Sequence, residues 1–277
     1  MNTNKLAKLG AVLAAGAIPA VNALAGVFVI TDDAQPAAKG DLEAHLNWES
    51  SIATDHNRFV DTGIGLELAY GATETLEVAA SLDFGWTYSS HDYGKKVEDA
   101  KHQDDFNFTG ISLGLKEQIL DPESAEDPFG LCMVGGFSWA WAGTDASAAR
   151  DIGFDLGLNF QKNLLDGDLI LAFTPGVSFG TSYIYDEERY SDFIVYSIGF
   201  GFSYQVVEGL RLGAEASYEI TYEEGDDGSI DYSDNEFYAG PNLCYEGESW
   251  WITICIAPRL FTTDHSVLAV AQLGWAF

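Results

Sequence analysis

From Gly40 to Phe277, apolar and polar residues alternate almost one for one, the period of a β-strand that faces two different environments. Leu42, Ala44, Leu46 and Trp48 fall on one side, and Glu43, His45, Asn47 and Glu49 on the other. A slip of one residue would carry charge onto the apolar side, so the register is fixed. The run from Leu76 to Tyr88 continues in the same way, well beyond the roughly 5–6 residues of a common soluble strand. Twelve such runs follow one another, near 41–50, 59–71, 76–88, 106–118, 129–141, 152–162, 169–180, 193–205, 210–222, 237–245, 250–260 and 267–277. Their lengths suit strands that cross a bilayer at a tilt, and an even number suits a single-chain barrel.

Two further patterns agree. Links after even-numbered runs are mostly tight (72–75, 163–168, 206–209, 246–249), whereas those after odd-numbered runs are mostly long and polar (89–105, 181–192, 223–236); short turns on one side and long loops on the other mark outer-membrane barrels. Trp86, Tyr88, Trp139, Trp141, Tyr218 and Tyr222 gather toward one end of the runs, and Tyr70, Phe160, Tyr204 and Tyr245 toward the other, as two interfacial girdles would. The expected fold is all-β, a transmembrane antiparallel up-and-down barrel of about 12 strands. A secreted β-sandwich, which also alternates apolar and polar residues, is the competing reading.

The first 25 residues carry Lys5 and Lys8, an apolar stretch from Leu9 to Val21 and the small-residue end Ala23, Leu24, Ala25, the layout of a secretory signal. Residues 1–25 are therefore expected to be a signal peptide, 26–39 a periplasmic leader, in preference to an extra strand or small plug, without clear alternation beyond the short apolar stretch Val27 to Ile30, and 40–277 the barrel. Loss of the two lysines moves the formal net charge from -30 to -32. So acidic a chain repels phosphate backbones and excludes nucleic acid as a partner.

With the apolar face toward lipid, the lumen receives Glu43, Glu49, Asp61, Glu67, Glu77, Asp83, Asp155, Glu215 and Glu219, with Lys116, Arg211 and Arg259 among few bases. A ring of one sign biases an open pore toward cations; the plainer reading is that these groups hydrate the wall or pair with the bases. Inward glycines, Gly201 and Gly213 among them, either leave room for a solute or serve close backbone approach. In the acidic segment 223–236, Asp231, Ser233 and Asn235 have the spacing of oxygen ligands, yet Glu236 stands where a calcium loop needs Gly. A solvated loop bridged by divalent cations to lipid headgroups fits better than a specific metal site.

Cys132, Cys244 and Cys255 fall on the lumen side, and simple pairing about the 246–249 turn sets Cys244 opposite Trp251, away from Cys255. No disulfide between them is expected. His91 beside Asp92 and His265 beside Asp264 offer the only hint of catalysis, and sequence neighbours in loops do not by themselves bring a nucleophile to a base. No enzyme activity and no cofactor are expected.

The chain ends Leu273, Gly274, Trp275, Ala276, Phe277. Alternate apolar residues finishing on Phe resemble the terminal signal of outer-membrane barrels, which implies the barrel-assembly machinery as a partner and Leu273, Trp275 and Phe277 as the insertion signal. The twelve-run layout, the Glu-bearing opening runs Leu42 to Glu49 and Gly65 to Tyr70, and the recurrent Gly-rich runs resemble the transporters named after the meta-pathway of phenol degradation. That resemblance implies passage of small molecules, hydrophobic ones included, and supplies no functional residues. The expected role is a porin-like channel or facilitator for small solutes in the outer membrane of a Gram-negative envelope, with lipid as its surroundings. The alternative is a closed structural or surface-interaction barrel with acidic outer loops.

Overall fold

The computed structural model describes residues 27–32, 34–53, 57–91, 103–124, 126–140, 151–184, 189–225, 228–261 and 266–277. Twelve strands form one closed antiparallel barrel in which each pairs with its sequence neighbours. They are β1 (Leu42–Ala53), β2 (Asn57–Gly71), β3 (Leu76–His91), β4 (Gln103–Leu120), β5 (Gly130–Ala140), β6 (Asp151–Leu164), β7 (Leu169–Ile184), β8 (Arg189–Val207), β9 (Leu210–Glu224), β10 (Ile230–Glu246), β11 (Trp250–Pro258) and β12 (Ser266–Ala276). The β1–β12 ladder from Glu43↔Ala276 to Ala53↔Ser266 closes the wall, and the Phe277 N–H donates to the Leu42 carbonyl at 2.9 Å. Closure leaves no strand edge, which a bilayer would not tolerate.

Burial is inverted relative to a soluble protein. Leu68, Leu113, Leu115, Leu156 and Phe200 are exposed on the outer face, while Lys116, Glu77, Gln161, Glu215 and Gln272 are buried on the inner one. The hydrophobic side therefore looks outward, and the competing sandwich is ruled out. Tyr70, Tyr204, Tyr245, Trp250 and Trp275 lie exposed near the end that carries the short turns, with Trp139 and Tyr232 toward the opposite, loop end.

Three expectations change. The segment before β1 is not outside the barrel: residues 27–32 and 34–38 lie in the lumen, where Glu77, Gln161, Glu215 and Asn242 of the inner wall bond its backbone groups. The hairpin β10–β11 pairs Cys244 with Thr253, not Trp251. The Gly247 N–H donates to the Trp250 carbonyl, so the turn pivots there and every partner moves by two residues, which preserves the inward face. The three cysteines are buried and form no disulfide with one another. Finally, much of 223–236 is strand: β9 runs to Glu224 and β10 starts at Ile230. Asp231, Ser233 and Asn235 are ladder residues, with a bulge between Tyr232 and Asp234, and the Ser233 hydroxyl donates to Glu223 across the hairpin. Asp92, Asp264 and His265, and the His91 side chain, lie outside the described residues.

Leu113→Arg, on the lipid-facing wall, is expected to cost about 2–4 kcal/mol. Glu219→Arg, on the solvated inner wall, should change stability by no more than about 0.5 kcal/mol. Urea unfolding of the barrel in lipid vesicles measures both.

Candidate functional site

Residues 27–32 and 34–38 run through the barrel interior and touch most of its circumference. Leaving β1, the chain is first tied to the end of β2 by the Gly40 N–H on the Gly71 carbonyl, 2.8 Å. The Ala37 N–H then donates to Glu77 of β3 at 2.6 Å. Ala34 is held from both sides, its N–H on Gln161 Oε1 of β6 at 2.9 Å and its carbonyl accepting from Gln118 Nε2 of β4 at 3.2 Å. Asp32 accepts from Lys116 Nζ at 3.2 Å and from Asn159 Nδ2 at 2.5 Å. Contacts with β3, β4, β6, β9 and β10 by one short segment are possible only from inside the wall.

The strongest anchor is Glu215 on β9. It accepts the N–H groups of Val29 (3.1 Å to either oxygen), Ile30 (2.7 Å) and Thr31 (2.7 Å), and Asn242 Nδ2 at 2.5 Å. Asn242 also donates to the Val27 carbonyl at 3.1 Å. Burying a carboxylate costs several kcal/mol; consecutive backbone N–H groups converging on it form the kind of concavity that offsets that cost, each charge-assisted bond contributing about 1.5–3 kcal/mol. Glycine makes the seat for Phe28, which is 2% exposed. A Cβ added at Gly201 would sit 2.6 Å from the Phe28 ring, so this inward glycine serves close approach by the segment and not a solute path.

The fit is incomplete. Thr31 Oγ1, Glu77 Oε1 and Asn242 Oδ1 are buried without a hydrogen-bond partner among the described protein atoms. Each such group costs about 1–3 kcal/mol, so the segment is anchored strongly at a few points and leaves polar groups unsatisfied between them.

The remaining candidates divide by height in the barrel. Toward the turn end, His45 places Nδ1 2.8 Å from Glu67 Oε1 and Nε2 3.2 Å from Glu43 Oε2, a geometry that an imidazolium satisfies with two N–H donors. The Trp251 ring lies edge-on at 5.4 Å. Arg211 donates to Ser203, Gln205 and the carbonyls of Gly167 and Asp168, which makes it a clamp on the turns joining β6 to β9. Glu43, Glu67, Glu77, Arg211 and Glu215 are thus buried structural groups.

Toward the loop end, Glu49, Asp61, Asp83 and Asp155 are half-buried and Glu219 exposed to the lumen. Glu49 lies within electrostatic reach of Glu219, Asp61 and Glu236, and Glu219 faces Glu236 across the ladder. Arg259 bridges Asp234 at 3.0 Å and Glu236 at 3.2 Å. Ser81 and Ser112 donate to Asp83 at 2.6 and 3.3 Å. The result is an acidic, solvated vestibule above a plugged half. Among the described residues no group of His, Cys, Asp and Glu is arranged to hold a metal ion.

His45, Asn159, Gln161, Asn242 and the segment 27–38 were not singled out by the sequence. The polar residues sit at inward positions where hydration of the wall explains them equally well, and the segment has no periodicity; only its own apolar stretch Val27–Ile30 is a signal of burial.

The profile of a family of unknown function (DUF6662) matches residues 22–264. No curated protein gives a match. Among solved structures, the COG4313 outer membrane channel from Pseudomonas putida F1 is similar with a TM-score of 0.62 at 10% identity, covering 88% of this chain and 98% of that one. The translocator domain of the autotransporter NalP from Neisseria meningitidis is similar with a TM-score of 0.53 at 13% identity, over 86% and 88%. The transport unit of the autotransporter AIDA-I from Escherichia coli follows with 0.51 at 12%, over 86% and 91%. At such identities the likeness is one of fold, that of outer-membrane barrels.

Replacing Glu215 by Ala removes the acceptor shared by three amides. Exchange of the Val29, Ile30 and Thr31 amides, followed by mass spectrometry, should accelerate on the order of 10–100-fold, the equivalent of one charge-assisted bond. Gly201→Val should produce a similar release by displacing Phe28.

Proposed function

From the premise that the chain belongs to the family of unknown function (DUF6662), we propose that it is a gated outer-membrane facilitator for small solutes, with residues 27–38 as the gate. The observation that carries this reading is the clasp of Glu215 on three consecutive backbone amides inside the barrel. A wall needs no such strand-free segment for its own closure, and a segment held at separate polar points can leave as a unit. The acidic vestibule bears on selectivity: single-sign lining concentrates cations at a pore mouth, so Glu49, Asp61, Asp83, Asp155 and Glu219 are the groups that set it once the gate is open. The buried acids deeper in the barrel act on the gate.

Planar-bilayer recording of the barrel tests this. The intact chain should be closed or open only briefly. The chain lacking 27–38, or carrying Glu215→Ala, should give long-lived steps with a cation-selective reversal potential under a salt gradient. Combined neutralisation of Glu49, Asp61 and Glu219 should reduce that selectivity and leave folding intact. A folded, gate-deleted barrel that passes no current would overturn the reading in favour of a closed structural barrel.

A further inference from the structure

The wall is not uniformly bonded. Between β10 and β11 the ladder runs only from Asn242↔Cys255 to Glu246↔Trp251, whereas between β9 and β10 it runs from Leu210↔Tyr245 to Glu224↔Ile230. Beyond Asn242 one isolated bridge, Tyr238↔Arg259, keeps the same register. The cause lies in two prolines. The Phe237 carbonyl accepts from the Leu260 N–H, so odd-numbered residues of β10 from there to the turn direct their backbone groups to β11. Pro241 is one of them. The Arg259 N–H points to Ser266 on β12, so its neighbour Pro258 points to β10. Each proline lacks the N–H that the opposite carbonyl, of Ile256 or Ala239, would accept. Proline in a sheet is otherwise confined to edges and bulges, and a closed barrel has no edge.

Both prolines are exposed on the lipid side. With a rise of roughly 3.3 Å per residue and a tilt near 40°, the break lies roughly 13–18 Å from the Glu246 turn, inside the apolar band. Pro175 also interrupts β6–β7, but that ladder resumes fully on either side and its inward neighbours are the polar Thr174 and Asn159.

Behind the β10–β11 break the inner wall changes character. Tyr238, Cys255, Ala257 and Val270 form a buried apolar cluster, with Leu268 packed against it, and Val29 and Ile30 of the gate segment complete it. A second buried apolar cluster, Ile170 and Ala172 of β7 with Val27 and Phe28, lies away from this break; most other buried inner-wall side chains near the gate are polar. An apolar lining, a weak seam beside it and a plug beneath it coincide in one sector.

We propose that the β10–β11 seam is a lateral passage by which small uncharged apolar molecules leave the lumen for the surrounding lipid. The passage rests on the facilitator reading and gives it a substrate class. Opening an antiparallel seam in hydrocarbon exposes unpaired N–H and C=O groups; here two of the bonds to be broken are already absent. The other apolar sector, Ile170 and Ala172, is backed by paired residues of β6 and β8, and the gate segment lies across the axial route.

The probe is 1-N-phenylnaphthylamine, whose fluorescence rises on entering lipid, added to intact Gram-negative cells producing the full chain. Production of the chain should speed uptake severalfold over cells without it. Phe237→Cys with Leu260→Cys places thiols on a hydrogen-bonded pair, whose Cα spacing of about 5.5 Å suits a disulfide, and leaves both prolines in place. Oxidised, this variant should lose at least four-fifths of the added uptake, and a reductant should restore it. Pro241→Val with Pro258→Val, which supplies the two N–H donors, should also slow uptake, while Pro175→Val should not. Wild-type uptake by the oxidised, folded lock would overturn the lateral passage. So would a wild-type chain that gives no added uptake while its gate-deleted form conducts ions, an outcome that leaves the facilitator reading standing. Neither uptake nor conductance would overturn both.

Discussion

Hydrocarbon supplies no hydrogen-bond partner, and every feature of this chain follows from that constraint. Backbone N–H and C=O groups within the membrane must be paired inside the protein, which forces twelve consecutive strands to close through β1 and β12. Closure fixes the alternation, apolar outward and polar inward, so side chains such as Lys116 and Glu215 lie where a soluble protein would keep leucine. Against this background a seam with two missing donors is conspicuous, because nothing in the lipid can replace them.

A twelve-stranded wall also encloses more space than its own side chains fill. In the half nearer the turns, residues 27–32 and 34–38 occupy it and bring their own polar backbone, which then needs partners of the same kind as the wall does. Glu77, Gln118, Gln161, Glu215 and Asn242 supply them. In the half nearer the loops the space is lined by acids in contact with water, partly balanced by Arg259. Buried and solvated carboxylates in one lumen therefore have different work, the first holding a segment in place and the second shaping the field at the mouth.

The strand layout was legible because lipid imposes a strict period of two. All twelve strands overlap the runs read from the sequence, and β10 began earlier than expected only because acidic residues at a barrel rim resemble a loop. The hairpin at 246–249 showed the limit of counting: parity was right, so Cys244 and Cys255 faced inward, while the partner was off by two because turn geometry, not periodicity, sets register. The lumen face of the acids was legible for the same reason, but not their division of labour. Whether Glu215 or Glu219 is buried depends on what else enters the lumen, and Gly26–Lys39 has no period to announce that it does. Pro241 and Pro258 were visible as letters; that both point at one seam follows only from the hydrogen-bond parity of the paired strands.

The gate and the seam share residues, and this ties their states together. Val29 and Ile30 give their amides to Glu215 and their side chains to the cluster of Tyr238, Cys255, Ala257 and Val270. When the clasp holds, the apolar sector is covered and the seam is backed by packed side chains. When the segment shifts, the same movement uncovers apolar surface beside the strands with the fewest bonds between them. A solute that packs on that surface competes with Val29 and Ile30 for it, and so favours the released state by its differential contact with the two arrangements. The orphaned Thr31 and Asn242 oxygens lower the cost of that exchange, since part of what the seated segment should gain from its polar groups is never collected.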